Sequence, residues 1–222
     1  MELAYLNAAK MIDHSLLNPT LTEGALEQGI LLALAYDVAS VCIMPYALKR
    51  CAEQLKGSAV KASTTIGFPH GGHTTAIKLA ETERALADGG EELDMVVNLS
   101  KVLSGDWAYV EADIRVVVEA AHAAGQKVKV IFENCYLNEG QKIRLCEICS
   151  GLGADWVKTS TGYGTSGATD EDLRLMRAHA AAGNTAEALR AYERCRRLVA
   201  DELGVDPSPA TRTVYEQILA SV

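Results

Sequence analysis

The sequence predicts an α/β protein: a (β/α) TIM-type barrel, incomplete at six recognisable βα units, followed by a helical tail. Two observations predict it. Six short runs rich in β-branched and apolar residues recur, and the segments between them carry apolar residues near 3.6 spacing. The alternation repeats roughly every 25–30 residues, as parallel strands demand, because a tight hairpin cannot join them. Six such units in a row favour a barrel over an open doubly wound sheet. A Gly-x-Gly-x-x-Gly after the first strand would have argued for a dinucleotide fold, and none is there.

In order, the strands are expected at 11–17, 38–44, 61–68, 93–99, 127–133 and 155–161, with helices at 22–35, 46–56, 73–88, 107–124 and 138–152. The run Val116-Val117-Val118 resembles a strand by itself, but Glu111-Ala112-Asp113 before it and Glu119-Ala120-Ala121 after it favour helix. His70-Gly71-Gly72-His73 is expected as a flexible loop feeding the next helix. Thr169, with Asp172 three residues on, predicts a capping box that opens a further helix.

Composition excludes several function classes. The chain has 222 residues, 49% of them hydrophobic and 23% charged, enough for a large core. A net charge of −8 argues against nucleic-acid binding, which needs a positive field. No apolar run approaches the roughly 20 residues of a membrane span, and Met1-Glu2-Leu3 does not begin a signal peptide, so a cytoplasmic protein is expected. Six scattered cysteines (Cys42, Cys51, Cys135, Cys146, Cys149 and Cys195) are expected as reduced core residues. Cys146-x-x-Cys149 lies alone in a helical pattern, and no His/Glu spacing of a zinc hydrolase occurs, so neither metal nor cofactor is expected.

Strand parity then points to a site. In a barrel, alternate residues face the helices and the rest face the interior. Leu93, Met95 and Val97 form one apolar set, which leaves Asp94 inward; Val128, Val130 and Phe132 form another, which leaves Lys129 inward. Val157 outward puts Lys158 inward, and Asp13 is a fourth candidate. A lone lysine also fits a strand end snorkelling to water, and a charge cluster can merely fill a barrel. Three adjacent strands aiming Asp94, Lys129 and Lys158 at one space favour a functional site. A neutral lysine amine in such a place condenses with a carbonyl to a Schiff base. Gly162-Tyr163-Gly164-Thr165-Ser166-Gly167 follows where barrels bind ligands, so a phosphate contact is expected there.

Six motifs in order carry a resemblance. They are Ile12-Asp13-His14-Ser15-Leu16-Leu17, Val41-Cys42-Ile43-Met44-Pro45, Thr65-Ile66-Gly67-Phe68-Pro69-His70-Gly71, Glu92-Leu93-Asp94-Met95-Val96, Val128-Lys129-Val130-Ile131-Phe132-Glu133 and Val157-Lys158-Thr159-Ser160-Thr161-Gly162. From about residue 9 to 177 the chain resembles deoxyribose-phosphate aldolase. The resemblance implies a class I aldolase on a (β/α)8 barrel. Such an enzyme reversibly cleaves 2-deoxy-D-ribose 5-phosphate to acetaldehyde and glyceraldehyde 3-phosphate without a metal. It makes Lys158 the Schiff-base lysine, Asp94 the proton-relay acid and Lys129 a further catalytic residue, and it brings Asp13, Cys42, Thr161 and Gly162 to the phosphorylated sugar. Lys129 is expected to help lower the pKa of Lys158, because an unperturbed lysine near 10.4 is almost wholly charged at neutral pH.

The resemblance stops after Arg177. The family continues with a seventh strand bearing a second lysine and a Gly-Gly turn, then an eighth ending in a Gly/Ser turn. This chain continues instead with a helical pattern: Leu189, Tyr192, Cys195 and Val199 on one face, a stop at Leu203-Gly204-Val205-Asp206-Pro207, then Val214, Tyr215, Ile218 and Leu219. Residues 178–222 resemble part of a tetratricopeptide-type bacterial transcriptional activator domain, and 1–177 form the barrel portion. The first and sixth strands are then open edges, which tail helices or a homo-oligomeric partner can cover. Activity below that of a complete family member is expected. The alternative is a non-catalytic fusion or remnant whose tail mediates protein interaction.

Overall fold

The structure, a computed structural model, describes residues 8–180. Six strands, β1 (Asp13–Leu16), β2 (Ser40–Ile43), β3 (Lys61–Ile66), β4 (Glu92–Val96), β5 (Lys127–Ile131) and β6 (Trp156–Lys158), pair in that order, every neighbour parallel. Helices α1 (Glu23–Tyr36), α2 (Leu48–Leu55), α3 (Thr75–Ala87), α4 (Leu99–Leu103), α5 (Trp107–Ala123), α6 (Glu139–Leu152) and α7 (Asp170–His179) follow them. Each strand is shorter than the apolar run that predicted it. Residues 97–99 leave β4 for α4, a short helix that the sequence reading missed.

Helix starts follow their local chemistry. Thr22, Thr74, Asp106 and Asn138 each accept a hydrogen bond from a backbone N–H of the first turn. The reciprocal capping box lies at Asn138 and Gln141. At Thr169 only half of the expected box forms: Asp172 N donates to Thr169 Oγ1 at 3.1 Å, while the Asp172 carboxylate takes Lys142 Nζ at 2.6 Å. That ion pair docks α7 onto α6. Residues 178–179 continue α7, so the boundary placed at 177 falls inside a helix. The remaining tail, 181–222, lies outside the described residues.

The core lies between sheet and helices. Leu93, Met95, Val97, Val128, Val130 and Phe132 are all sealed from solvent and belong to it, as strand parity predicted. Val116, Val117 and Val118 are helical, within α5. The sheet curls. Strands 4.7–4.9 Å apart would put β1 and β5 about 19 Å apart in a flat sheet, yet Lys129 Nζ on β5 lies 3.5 Å from Asp13 Oδ2 on β1. At the carboxyl ends, Tyr163 OH donates to Leu17 O at 2.8 Å, so the loop after β6 reaches the end of β1. Within the described residues β1 and β6 each have a free edge, which makes this an incomplete barrel.

The segment expected to be a flexible loop is held. His73 Nδ1 lies 3.1 Å from Glu81 Oε1, and Gly71 N donates to Gly67 O at 2.7 Å. Gly71 has φ +67°, and a Cβ there would come 1.8 Å from Val97 O. The backbone of β4's exit packs where a side chain would be, so only glycine fits.

Candidate active site

Asp94 sits on the interior face of β4, wholly buried, and two lysines converge on it. Lys158 Nζ on β6 donates to Asp94 Oδ2 at 2.7 Å, and Lys129 Nζ on β5 lies 3.4 Å from Asp94 Oδ1. The register explains the convergence: Asp94 is opposite Lys129, and Lys158 is opposite Ile131, one side chain further along the same face. All three residues that strand parity sent inward therefore meet, and Asp13 joins them. Ser40 Oγ holds Asp13 by donating to its Oδ1 at 2.6 Å.

Lys129 has a second carboxylate that the sequence reading did not single out. Its amine bonds Glu92, two residues before Asp94 on the same face of β4, and the Trp156 ring lies 5.0 Å from Nζ. The signal for Glu92 was present, since the parity that turns Asp94 inward turns Glu92 inward too. Burial alone would favour the neutral amine, but Asp94, Glu92 and Asp13 outweigh it and hold the Lys129 pKa well above the usual lysine range. Its ammonium contacts all three carboxylates.

The consequence for Lys158 reverses the sequence expectation. Burial pushes its pKa down, but the Asp94 carboxylate, in charge contact and hydrogen bond, outweighs burial and raises it. The charged Lys129 does not reverse that direction. The resting pair is an ammonium and a carboxylate. About a third of the Lys158 side chain remains open, against 1% for Asp94. Asp94 Oδ1 receives no hydrogen bond, only the ionic contact with Lys129.

The other expected residues divide. Cys42 on β2 is buried facing the same interior; burial first, then the nearby Asp94 charge, pushes its thiol up to about 12. It is a protonated, small apolar wall. Gly162 adopts φ +86° in the turn after β6. Thr161 is beside it, but its hydroxyl and its N–H both donate to Glu133, which the sequence reading quoted in a motif without a role. Elsewhere, burial raises the thiols of Cys146, to about 11, and of Cys149. Among the described residues no helix is long and apolar enough to cross a membrane.

Comparison with known proteins places this arrangement. A family model described as "Bacterial transcriptional activator domain" matches residues 158–219, starting at Lys158 and so overlapping the last strand and α7. Relatives of another family match more of the chain, some of them well beyond residue 177. A deoxyribose-phosphate aldolase of Rhodopirellula baltica is 71% identical over 175 residues, 79% of this chain and 73% of that one. The crystal structure of a putative deoxyribose-phosphate aldolase from Coccidioides immitis superposes with TM-score 0.76 at 32% identity, covering 88% of this chain and 79% of that one. The deoxyribose phosphate aldolase from Aeropyrum pernix, described as a unique tetramer, gives TM-score 0.72 at 26% identity, over 96% and 92%. Identity at that level over most of both chains, on a shared fold, decides the matter: this chain belongs to the deoxyribose-phosphate aldolase family.

Proposed function

We propose that this protein is a class I aldolase that reversibly cleaves 2-deoxy-D-ribose 5-phosphate to acetaldehyde and glyceraldehyde 3-phosphate through a Schiff base on Lys158. The observation that carries the reading is the 2.7 Å hydrogen bond between a partly open lysine and a buried, under-bonded carboxylate. A free amine is rare at a raised pKa, so the proton leaves along that hydrogen bond as the carbonyl arrives, with Asp94 as the base. The amine lone pair then attacks C1, and the carbonyl π electrons move to oxygen, which takes the proton back from Asp94. Loss of that oxygen as water leaves a protonated imine.

Asp94, ionised again, takes the proton of the C3 hydroxyl, through a water where it does not reach directly. The C3–O electrons form the aldehyde of glyceraldehyde 3-phosphate, the C2–C3 bond breaks, and its electrons form an enamine on Lys158. The imine nitrogen is the electron sink, so no bare carbanion forms. Protonation at C2 and hydrolysis release acetaldehyde and restore the amine. Lys129 touches Asp94 Oδ1 and holds the carboxylate in place; Asp13 and Glu92 hold Lys129 in turn. Cys42 and the Gly162 turn shape the space, and the glycine-rich loop 162–167 contacts the phosphate. The exposed Met11, Ile12, Leu31, Leu32 and Tyr36 at the β1–α1 edge support self-association in a cytoplasmic protein.

Borohydride reduction with acetaldehyde tests the reading. It is expected to trap a two-carbon adduct at Lys158, located by peptide mass. An unmodified Lys158 under conditions where the protein is folded would overturn it in favour of a non-catalytic remnant.

A further inference from the structure

We infer that Glu133 is a positioning residue for the Schiff-base lysine, acting as a clasp on the loop that follows it; this rests on the aldolase reading above. Glu133 follows β5 directly and is 2% exposed. Its backbone is left-handed, φ 56° and ψ 62°, a conformation that a non-glycine residue adopts rarely and against a cost. That turn swings the side chain across to the neighbouring strand's exit. Thr161 N donates to Glu133 Oε1 at 3.2 Å, and the Thr161 hydroxyl donates to Oε2. Among the described residues no lysine, arginine or histidine forms an ion pair with Glu133, so this buried carboxylate is compensated by the donors of the loop.

The clasp closes a short circuit. Phe132 N donates to Lys158 O and Asn134 N to Thr159 O, each at 2.9 Å, so the backbone on both sides of Glu133 is laced to the lysine and its neighbour. Glu133 adds the third tie, two residues further on. From there Thr161 Oγ1 accepts from Tyr163 N at 3.0 Å, and Tyr163 crosses the mouth to Leu17 O and stacks edge-on against Phe68 at 5.5 Å. Gly164 is part of the same device. A Cβ there would meet Cys135 Sγ at 2.7 Å and the Glu133 carboxyl at 2.9 Å, so the loop can lie over the clasp only as glycine. The Thr161 hydroxyl proton is committed to Glu133.

β6 is only three residues long and an edge within the described residues, so pairing alone fixes its exit weakly. Glu133 does not touch the amine. Its carboxylate sets where residues 158–161 lie, and so the angle at which Lys158 Nζ meets Asp94 and an incoming carbonyl.

The experiment is the rate of borohydride-trapped imine with acetaldehyde in Glu133→Gln, Thr161→Val, Thr161→Ser and Gly164→Ala, beside the unaltered full chain. A glutamine replaces one acceptor oxygen by an NH2 donor that faces a Thr161 donor, so the clasp half opens. The trapping rate is expected to fall about 10- to 100-fold in Glu133→Gln and Thr161→Val, the size of effect a misplacement near 1 Å produces. The final fraction of chains trapped at Lys158 should stay high and the KM for acetaldehyde within a few-fold. Thr161→Ser should recover most of the rate lost in Thr161→Val, and Gly164→Ala should mimic Glu133→Gln. A variant that merely unfolds loses trapped fraction in proportion to activity instead. Should Glu133→Gln misfold, the Thr161 pair carries the test, because it alters a single hydroxyl. Wild-type-like rates in Glu133→Gln and Thr161→Val would overturn the clasp while leaving the aldolase reading intact. Absence of adduct in the unaltered chain would overturn the aldolase reading itself.

Discussion

Two lysine–aspartate pairs flank β4, one behind it and one in front, and they behave oppositely. Behind, Lys78 on α3 pairs with Asp113 on α5, both sealed from solvent at 0% and 1% exposure. Lys78 Nζ also donates to Val96 O at 2.8 Å, and Thr75 Oγ1 donates to the second Asp113 oxygen at 2.9 Å. In front, Asp94 keeps one oxygen without a hydrogen bond, and Lys158, a third open, bonds Asp94 alone among the described residues. The same chemical pair is structural where every valence is met and solvent is shut out. The proposed reactive pair is the one where an oxygen is spare and one face is accessible. The rear pair pins the exit of the strand that presents the front one.

Removing the proposed nucleophile breaks the contrast most severely. Lys158→Ala should lower turnover by about 10^4-fold or more and abolish borohydride trapping, with the urea unfolding midpoint little changed. Lys78→Met does the reverse: it strands Asp113 in a sealed site and should cost about 3–5 kcal/mol in urea unfolding. The double variant Lys78→Met with Asp113→Leu should regain much of that loss, because no unpaired charge remains.

Asp94→Asn sharpens the account of the front pair. It should lower turnover about 100- to 1000-fold, as loss of a proton carrier does. It also removes the carboxylate that raises the Lys158 pKa, so the rising limb of trapping rate against pH should move to lower pH. A limb that stays put would mean that another group sets the charge of Lys158. Gly71→Ala, which drives a Cβ against Val97 O near the rear pair, should cost about 1–3 kcal/mol in thermal unfolding.

The smallest effect is at Asp155, which ties β6 to β5 outside the site. Burial raises its pKa, but hydrogen bonds from His122, Val128 N and Lys127 outweigh burial and hold it below the usual carboxylate range. A depressed folded value stabilises the fold above the unfolded pKa of about 3.9 and loses that contribution as pH falls through the folded value. Asp155→Asn should therefore cost about 0.5–1 kcal/mol at neutral pH and nothing measurable once the native carboxylate is protonated. Urea unfolding at neutral and acid pH reads this directly.

Much of the site was legible because a strand has a period of two. Leu93, Met95 and Val97 turn to the helices, so Asp94 can only turn inward, and the same count places Lys129 and Lys158. Lys78 and Asp113 carried no such signal. They lie 35 residues apart on separate helices, and nothing local to either announces a partner. Glu133 was hidden for a different reason: it sits past the strand, in a left-handed turn where parity no longer applies. Glu92 shares the face of Asp94 by the same parity count.

The order of residues by itself determined the alternation of strand and helix, which side chains enter the barrel and, through six motifs, the family. It did so because those properties rest on neighbours a few positions apart and on resemblance along the chain. The charge on Lys158 was decided only by tertiary structure. It rests on Asp94, 64 residues earlier, lying within hydrogen-bond reach and outweighing burial. Coulomb energy varies with separation in space, and curling the sheet brings β1, β4, β5 and β6 around one point.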